Sequence, residues 1–386
     1  MFVNHIWPFI ASSMLAACNV LQQGSSSGLG IEPFSAIETV LTTDSYNAKV
    51  QYSSTKVMIS TGNLNMDSTK KTEVIDLEDS NVICNVLEDF PMDIDAAVGA
   101  TLAITPIICG GKFNNGSSRS SDKCFKYAEG GWQNFATMID RRHYAAGIVY
   151  NNALHIFGGH DWDTTTTLIS SEIVQADGST TLGPQLPTPN YIHAIASINS
   201  TVSIISGGNA YLDDNYTDKT WYFDHVSQEF QPGPNLLQPR LLHSSGTVTD
   251  QETKEKIVIK VGGFYIDYLD STEMLLNGEW VTGKTQNQIF VHFCIPLAGM
   301  KAIINFTSFL TLGPSLPKAL SSSTMVELGD NLYVIGGYSS DGSGIQNEIH
   351  QLSCISGLCG WTTLTWQLKV ARFSLVAIPV DNTFCP

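Results

Sequence analysis

Short apolar runs alternate with polar turns along most of the chain, and five of those runs end in the same dipeptide. PIICGG closes at Gly111, LHIFGG at Gly159, SIISGG at Gly208, IVIKVGG at Gly263 and LYVIGG at Gly337; a weaker relative, KVMISTG, closes at Gly62. Runs of five or so β-branched residues bounded by Gly read as buried strands. Another strand-like run precedes each, as in AAGIVY before LHIFGG with Asn151-Asn152 between them, which is the grammar of a hairpin. A polar loop and two aromatic-rich runs follow, such as KTWYFD then EFQPGP, or CFKY then GWQNF. The predicted unit has four strands.

The unit repeats. Counted on the first residue of each pair, positions 61, 110, 158 and 207 are separated by 49, 48 and 49 residues, and the next step, to 262, is 55. The excess falls in the polar stretch TDQETKEK, where a longer hairpin loop fits. A Pro-containing turn keeps the same phase as GPQLPTP, GPNLLQP and GPSLPKA, and Arg141 and Asn190 each stand 17 before their Gly. With Gly62, Gly110, Gly111, Gly158, Gly159, Gly207, Gly208, Gly262, Gly263, Gly336 and Gly337 in phase, the chain resembles the kelch repeat, whose period is about 50 residues. The resemblance implies an all-β, kelch-type β-propeller over residues 46–386.

The termini predict how the ring closes. RFSLVAIPV at 372–380 reads as a first strand with no second strand after it, and KVMISTG as a second strand lacking a first. Pairing them would complete one blade and remove an exposed sheet edge. The step from 262 to 336 is 74, too long for one unit. Within it HFCIPLAGMKAIIN reads as an inner hairpin without Gly-Gly, so the expected count is seven blades, the one over 284–312 truncated, with six as the alternative.

Composition narrows the partners. Twenty Lys and Arg against 36 Asp and Glu give a net charge of −16, which disfavours nucleic acid and anionic lipid. Residues 1–18 carry an apolar stretch from Ile6 to Ala17 that reads as a signal peptide, too short to span a bilayer, and 19–45 as a linker and N-terminal segment. Sequons at Asn115, Asn199, Asn215 and Asn305 agree with export as glycosylation candidates. Of eight Cys, Cys109 with Cys124 and Cys354 with Cys359 are the expected disulfides, since exported proteins keep such bonds oxidised. Cys84, Cys294 and Cys385 have no assigned partner.

Candidate chemistry is sparse. The resemblance extends to galactose oxidase, but its copper-site Tyr-His dipeptide is absent, and no His-x-His or Cys-x-x-Cys spacing offers a metal pair. His160-Asp161-Trp162-Asp163 and Asp213-Asp214-Asn215 lack a fixed calcium-loop pattern and read as solvated turns. Gly-rich segments open no helix, so no nucleotide cofactor is expected. Arg141, Arg142, His143, His193, Arg240, His243 and Arg372 cluster at the starts of inner strands. There they either bond backbone between blades or form a cationic mouth for a carboxylate. The expected function is a secreted, non-catalytic module recognising a protein or glycan through propeller loops, without cofactor, metal or membrane insertion. The alternatives are an intracellular adaptor for ubiquitin ligation or cytoskeleton, and a propeller enzyme such as a sugar oxidase or isomerase.

Overall fold

The computed structural model describes residues 54–64, 67–79, 87–113, 119–210, 216–282, 288–297, 300–309 and 313–384. The expected signal and linker, Asn115, Asp213-Asp214-Asn215, Cys84 and Cys385 lie outside them, as do the side chains of Cys294 and Asn305. The chain divides into two compact units, one containing the hairpin strands Gln288–Leu297 and Met300–Phe309, the other 47–286 with 310–386.

The larger unit is a β-propeller. Among the described residues it has six blades. Blades 2 to 6 are four-stranded antiparallel sheets whose first strands are Val98–Leu102, Ala146–Tyr150, Ala194–Ser197, Ser244–Thr249 and Thr324–Leu328. Blade 1 joins both ends of the chain: Val376–Val380 pairs with Lys56–Ser60 in the register Lys56↔Val380 to Ser60↔Val376, and Glu73–Asp76 pairs on the other side. The six first strands stand side by side in a closed cyclic order.

Two sets of backbone hydrogen bonds close that ring. Just before each first strand one residue takes a left-handed φ between 49° and 58°: Ala96, Tyr144, Ile192, Leu242, Ser322 and Ser374. Each donates its N–H to the carbonyl of the equivalent residue in the preceding blade, at 2.8–3.2 Å, and Ala96 donates to Ser374. Non-glycine residues hold this conformation only when their surroundings over-determine it, and a cyclic chain of six bonds does so. The second set comes from the Gly-Gly pairs and, in blade 1, from Gly62 after Thr61. Gly208 N–H donates to Arg240 O at 2.9 Å, and equivalent bonds of 2.7–3.0 Å join every blade to the next. A Cβ on Gly207 would lie 2.4 Å from Arg240 O, closer than any real contact. The repeated dipeptide therefore marks where one blade's second strand meets the backbone entering the next blade.

The expected seventh, truncated blade is corrected to an insertion. The hydrogen-bond ring steps directly from Leu242 to Ser322. In blades 3 and 4 the outer strand runs straight into the Pro turn, Leu182 into Gly183 and Pro232 into Gly233. Thr282 is the equivalent strand residue in blade 5, pairing with Glu273 as Leu182 pairs with Glu172. The turn resumes at Gly313, where Thr272 Oγ1 bonds Pro314 O as Thr220 Oγ1 bonds Pro234 O. Residues 283–312 thus split one blade's exit, and the hairpin strands within them pair only with each other among the described residues.

Apolar faces pack between blades. Ile257, Ile259 and Val261 of blade 5 meet Leu332 and Val334 of blade 6, and Val57 and Ile59 of blade 1 meet Val326 and Ile335. Cys109–Cys124 and Cys354–Cys359 are disulfides between directly opposed residues of adjacent strands.

Three buried ion pairs brace the inner strands. Arg240 donates to Glu273 at 2.5 Å and to Gly262 O at 2.9 Å; Arg142 repeats this with Glu172 and Gly158 O, and Arg372 with Glu73 and Thr61 O. Each carboxylate also accepts backbone N–H groups, Glu273 from Leu237 and Glu172 from Ile139 and Asp140. Asn190 takes the same place in blade 4, bonding Gly207 O at 2.8 Å. Register therefore equates Asn190 with Arg142 rather than with Arg141.

Removing one partner of such a pair strands a buried charge, a loss of about 3–5 kcal/mol, whereas an apolar replacement of both is far milder. Arg240→Met is expected to lower the thermal midpoint more than Arg240→Met combined with Glu273→Met; a double variant less stable than both singles would contradict the bracing role. Acid should also weaken the fold. Burial holds His143 down to about 3 and His155 and His225 to about 4, while the unfolded chain protonates near 6.5. Stability is then complete above pH 6.5 and declines as pH falls toward 4. Thermal melts from pH 7.5 to 4.5 should show that decline, smaller in His155→Phe; a flat profile would count against it.

Candidate functional site

The left-handed residues also line the centre of the ring. Tyr144, Ile192 and Leu242 are large, whereas Ser322, Ser374 and Ala96 are small, and a cavity of about 120 Å³ lies between them. The next residue of each blade completes its wall: Ala97, Ala145, His193, His243, Ser323 and Leu375. Two adjacent blades thus place imidazoles where their neighbours carry small or aliphatic side chains.

Both imidazoles are buried. His193 packs its ring against Gly158, beside the Phe157 backbone, and His243 packs against Gly207 with Nε2 meeting Ser206 Oγ at 3.1 Å. Desolvation, then the neighbouring Lys260 charge, pulls His193 down to about 3 and His243 well below the ordinary imidazole range. Tyr144 is pushed up to about 12 by burial and the Asp95 charge, so it keeps its phenolic proton.

Around the cavity, the residue after each Gly-Gly pairs with the residue before each left-handed position. His143 bridges His160, Tyr191 bridges Asn209, Leu241 bridges Phe264, Ser321 bridges Tyr338 and Phe373 bridges Asn63, while Asp95 pairs with Lys112. This second tier is strongly asymmetric. Tyr216, Phe264, Tyr268, Tyr338 and Phe373 form a continuous arc, successive ring centroids 5.4–6.4 Å apart, and all five are half-buried. Trp162, 40% exposed, stands in a separate group with His160, which also meets Tyr191, and with Lys112 and Arg119 each 5.9 Å from its ring. The blade 1–2 sector is polar, with Asp95 accepting from Asn63 and Ser68.

The structure does not bring the expected cationic mouth together. Arg142, Arg240 and Arg372 are buried and committed to the intrablade pairs described above. Arg141 is exposed and bonds Asp163 at 3.3 Å. His143 is buried against Ser120 Oγ at 3.0 Å. Only His193 and His243 of that group line the cavity. Asp161 and Asp163 are turn acceptors, for Thr164 and the N–H groups of Asp163 and Arg119. Among the described residues no three His, Cys, Asp or Glu side chains converge on a metal position, and no helix is long and apolar enough to cross a membrane. Tyr144, Lys260 and the aromatic arc were missed by sequence reading. The signal for the arc was the residue following each Gly-Gly pair, Phe264 and Tyr338 in particular.

No family model matches the chain and no curated protein matches it. Among solved structures it is similar to YjhT: a TM-score of 0.61 at 11% identity, over 81% of this chain and 98% of that one. At that identity the likeness shows the fold alone, and that fold is the β-propeller.

Proposed function

We propose that the protein is a secreted, non-catalytic recognition module that binds a saccharide at the aromatic rim of its axial cavity. The observation that carries this reading is the arc from Tyr216 to Phe373. Half-buried Tyr and Phe present an apolar face with a polar edge, which matches the C–H faces and hydroxyl rim of a pyranose. Small-ligand pockets usually join aromatic surface to a few polar groups, and the half-buried Lys112 is a polar group in the sector around Asp95.

Two disulfides agree with an oxidising compartment and weigh against the intracellular adaptor. The exposed sequon at Asn199, in a turn stabilised by its own side chain accepting from Thr201 and Val202 N–H, is open to glycosylation. A protein partner is the second reading, favoured by Ile266, which is 80% exposed beside the arc.

Immobilised protein probed with an array of neutral and acidic saccharides is expected to retain a defined subset. Tyr268→Ala with Tyr338→Ala should weaken that binding about tenfold or more, the loss of roughly one or two aromatic contacts, with the thermal midpoint nearly unchanged. Ile104→Ala, at an exposed turn remote from the arc, should leave it intact. Retention of no saccharide, or retention unaffected by the double variant, would overturn the reading.

A further inference from the structure

Trp162 is the one aromatic side chain left exposed among the described residues. An indole kept in water forgoes the burial that stabilises the other aromatics, and here the backbone on both sides of it is tied in place. Trp162 N–H donates to Ser120 Oγ at 2.9 Å, and that oxygen lies 3.0 Å from His143 Nδ1. The next residue, Asp163, accepts from Arg119 N–H at 2.8 Å and from Arg141 at 3.3 Å. The blade 3 loop that carries Trp162 is thus bonded to the blade 2 loop at Arg119 and Ser120, and the ring is presented to solvent already oriented.

Two cations flank it. Lys112 Nζ and the Arg119 guanidinium each lie 5.9 Å from the indole centroid. Arg119 is exposed and Lys112 half-buried, and neither makes an ion pair among the described residues. The carboxylates of this sector are engaged elsewhere: Asp163 with Arg141, Asp161 with Thr164 and the Asp163 N–H, Asp95 with Asn63 and Ser68. In a chain of net charge −16, this is a local surplus of positive charge beside an open aromatic face.

That combination selects a ring that itself carries an anion. The C–H face of a pyranose stacks on an indole, and an oxyanion on the same sugar accepts charge-assisted hydrogen bonds from an ammonium and a guanidinium. We propose that Trp162, Lys112 and Arg119 form a subsite for a sugar residue bearing a carboxylate or a sulfate. The subsite rests on the saccharide reading above and adds to it that one of the bound sugars is acidic.

Calorimetric titration of the whole protein with three tetrasaccharides tests this: one containing glucuronate, the same chain with its carboxyls reduced, and a sulfated neutral chain. At about 0.01 M ionic strength an anionic chain should bind about tenfold more tightly than the reduced one, and the preference should shrink at about 0.15 M as exposed charges are screened. The tighter of the two anionic chains identifies carboxylate or sulfate as the group read. Lys112→Gln with Arg119→Gln should remove the preference while leaving the reduced chain's binding unchanged. Trp162→Ala should weaken the anionic chain about tenfold, the loss of one stacked ring, with the thermal midpoint nearly unchanged. Anionic and reduced chains binding alike, or a preference that survives these variants, would overturn the subsite and leave the aromatic arc standing. Binding of no saccharide would overturn both, and a glutamate peptide binding as tightly as the anionic chains would overturn the subsite in favour of a protein partner.

Discussion

The six-membered ring of backbone hydrogen bonds at the axis is the constraint on which the rest of the structure depends. Each bond requires a residue in a left-handed conformation, and each such residue sits two positions after the carbonyl that receives the preceding blade's second Gly N–H. Blade spacing, the close approach at Gly207 and its equivalents, and the position of every first strand follow from satisfying these donors and acceptors in a dry interior. Because the last member, Ser374, bonds both Ser322 and Ala96, the C-terminal strand is part of the closure rather than an appendage.

The same ring sets up the cavity. Fixing six backbones around an axis leaves their side chains to decide what the centre is like, and here they divide it. One half is lined by Tyr144, Ile192 and Leu242, the other by Ser322, Ser374 and Ala96. Next to the ring, two imidazoles and a lysine interrupt a core that is otherwise braced by paired Arg and Glu. Loops leaving the Gly-Gly pairs, together with Phe373, then build the rim, aromatic from Tyr216 to Phe373 and polar around Asp95 between blades 1 and 2. These side chains are not dictated by the backbone bonds of the ring.

Much of the scaffold was legible in the sequence, because the position that approaches a neighbouring carbonyl is Gly in five of the six blades, Thr61 standing there in blade 1, and so recurs visibly. The disulfides were legible for a similar reason, each joining opposed residues of adjacent strands. Blade number was not. The run HFCIPLAGMKAIIN has the alternation of an inner hairpin, and the feature that separates it from one, the unbroken bond from Leu242 to Ser322, spans 80 residues. The Arg residues misled for a related reason: their partners Glu172, Glu273 and Glu73 lie on third strands, some 30 residues away for Arg142 and Arg240 and at the other end of the chain for Arg372. Lys260 was readable in principle, as a cation in the register of Ile108, Ile156 and Ile205.

The most direct test of this account is to delete residues 283–312, joining Thr282 to Gly313 as Leu182 joins Gly183 in blade 3, and to follow thermal unfolding by circular dichroism. A ring complete in six blades predicts a soluble protein with the same β-sheet spectrum, one cooperative transition and a midpoint within a few degrees of the intact chain. Loss of cooperative unfolding in the shortened chain would mean that the inserted hairpin is a member of the ring, and would contradict the six-bladed closure from which the axial cavity and its rim have been derived.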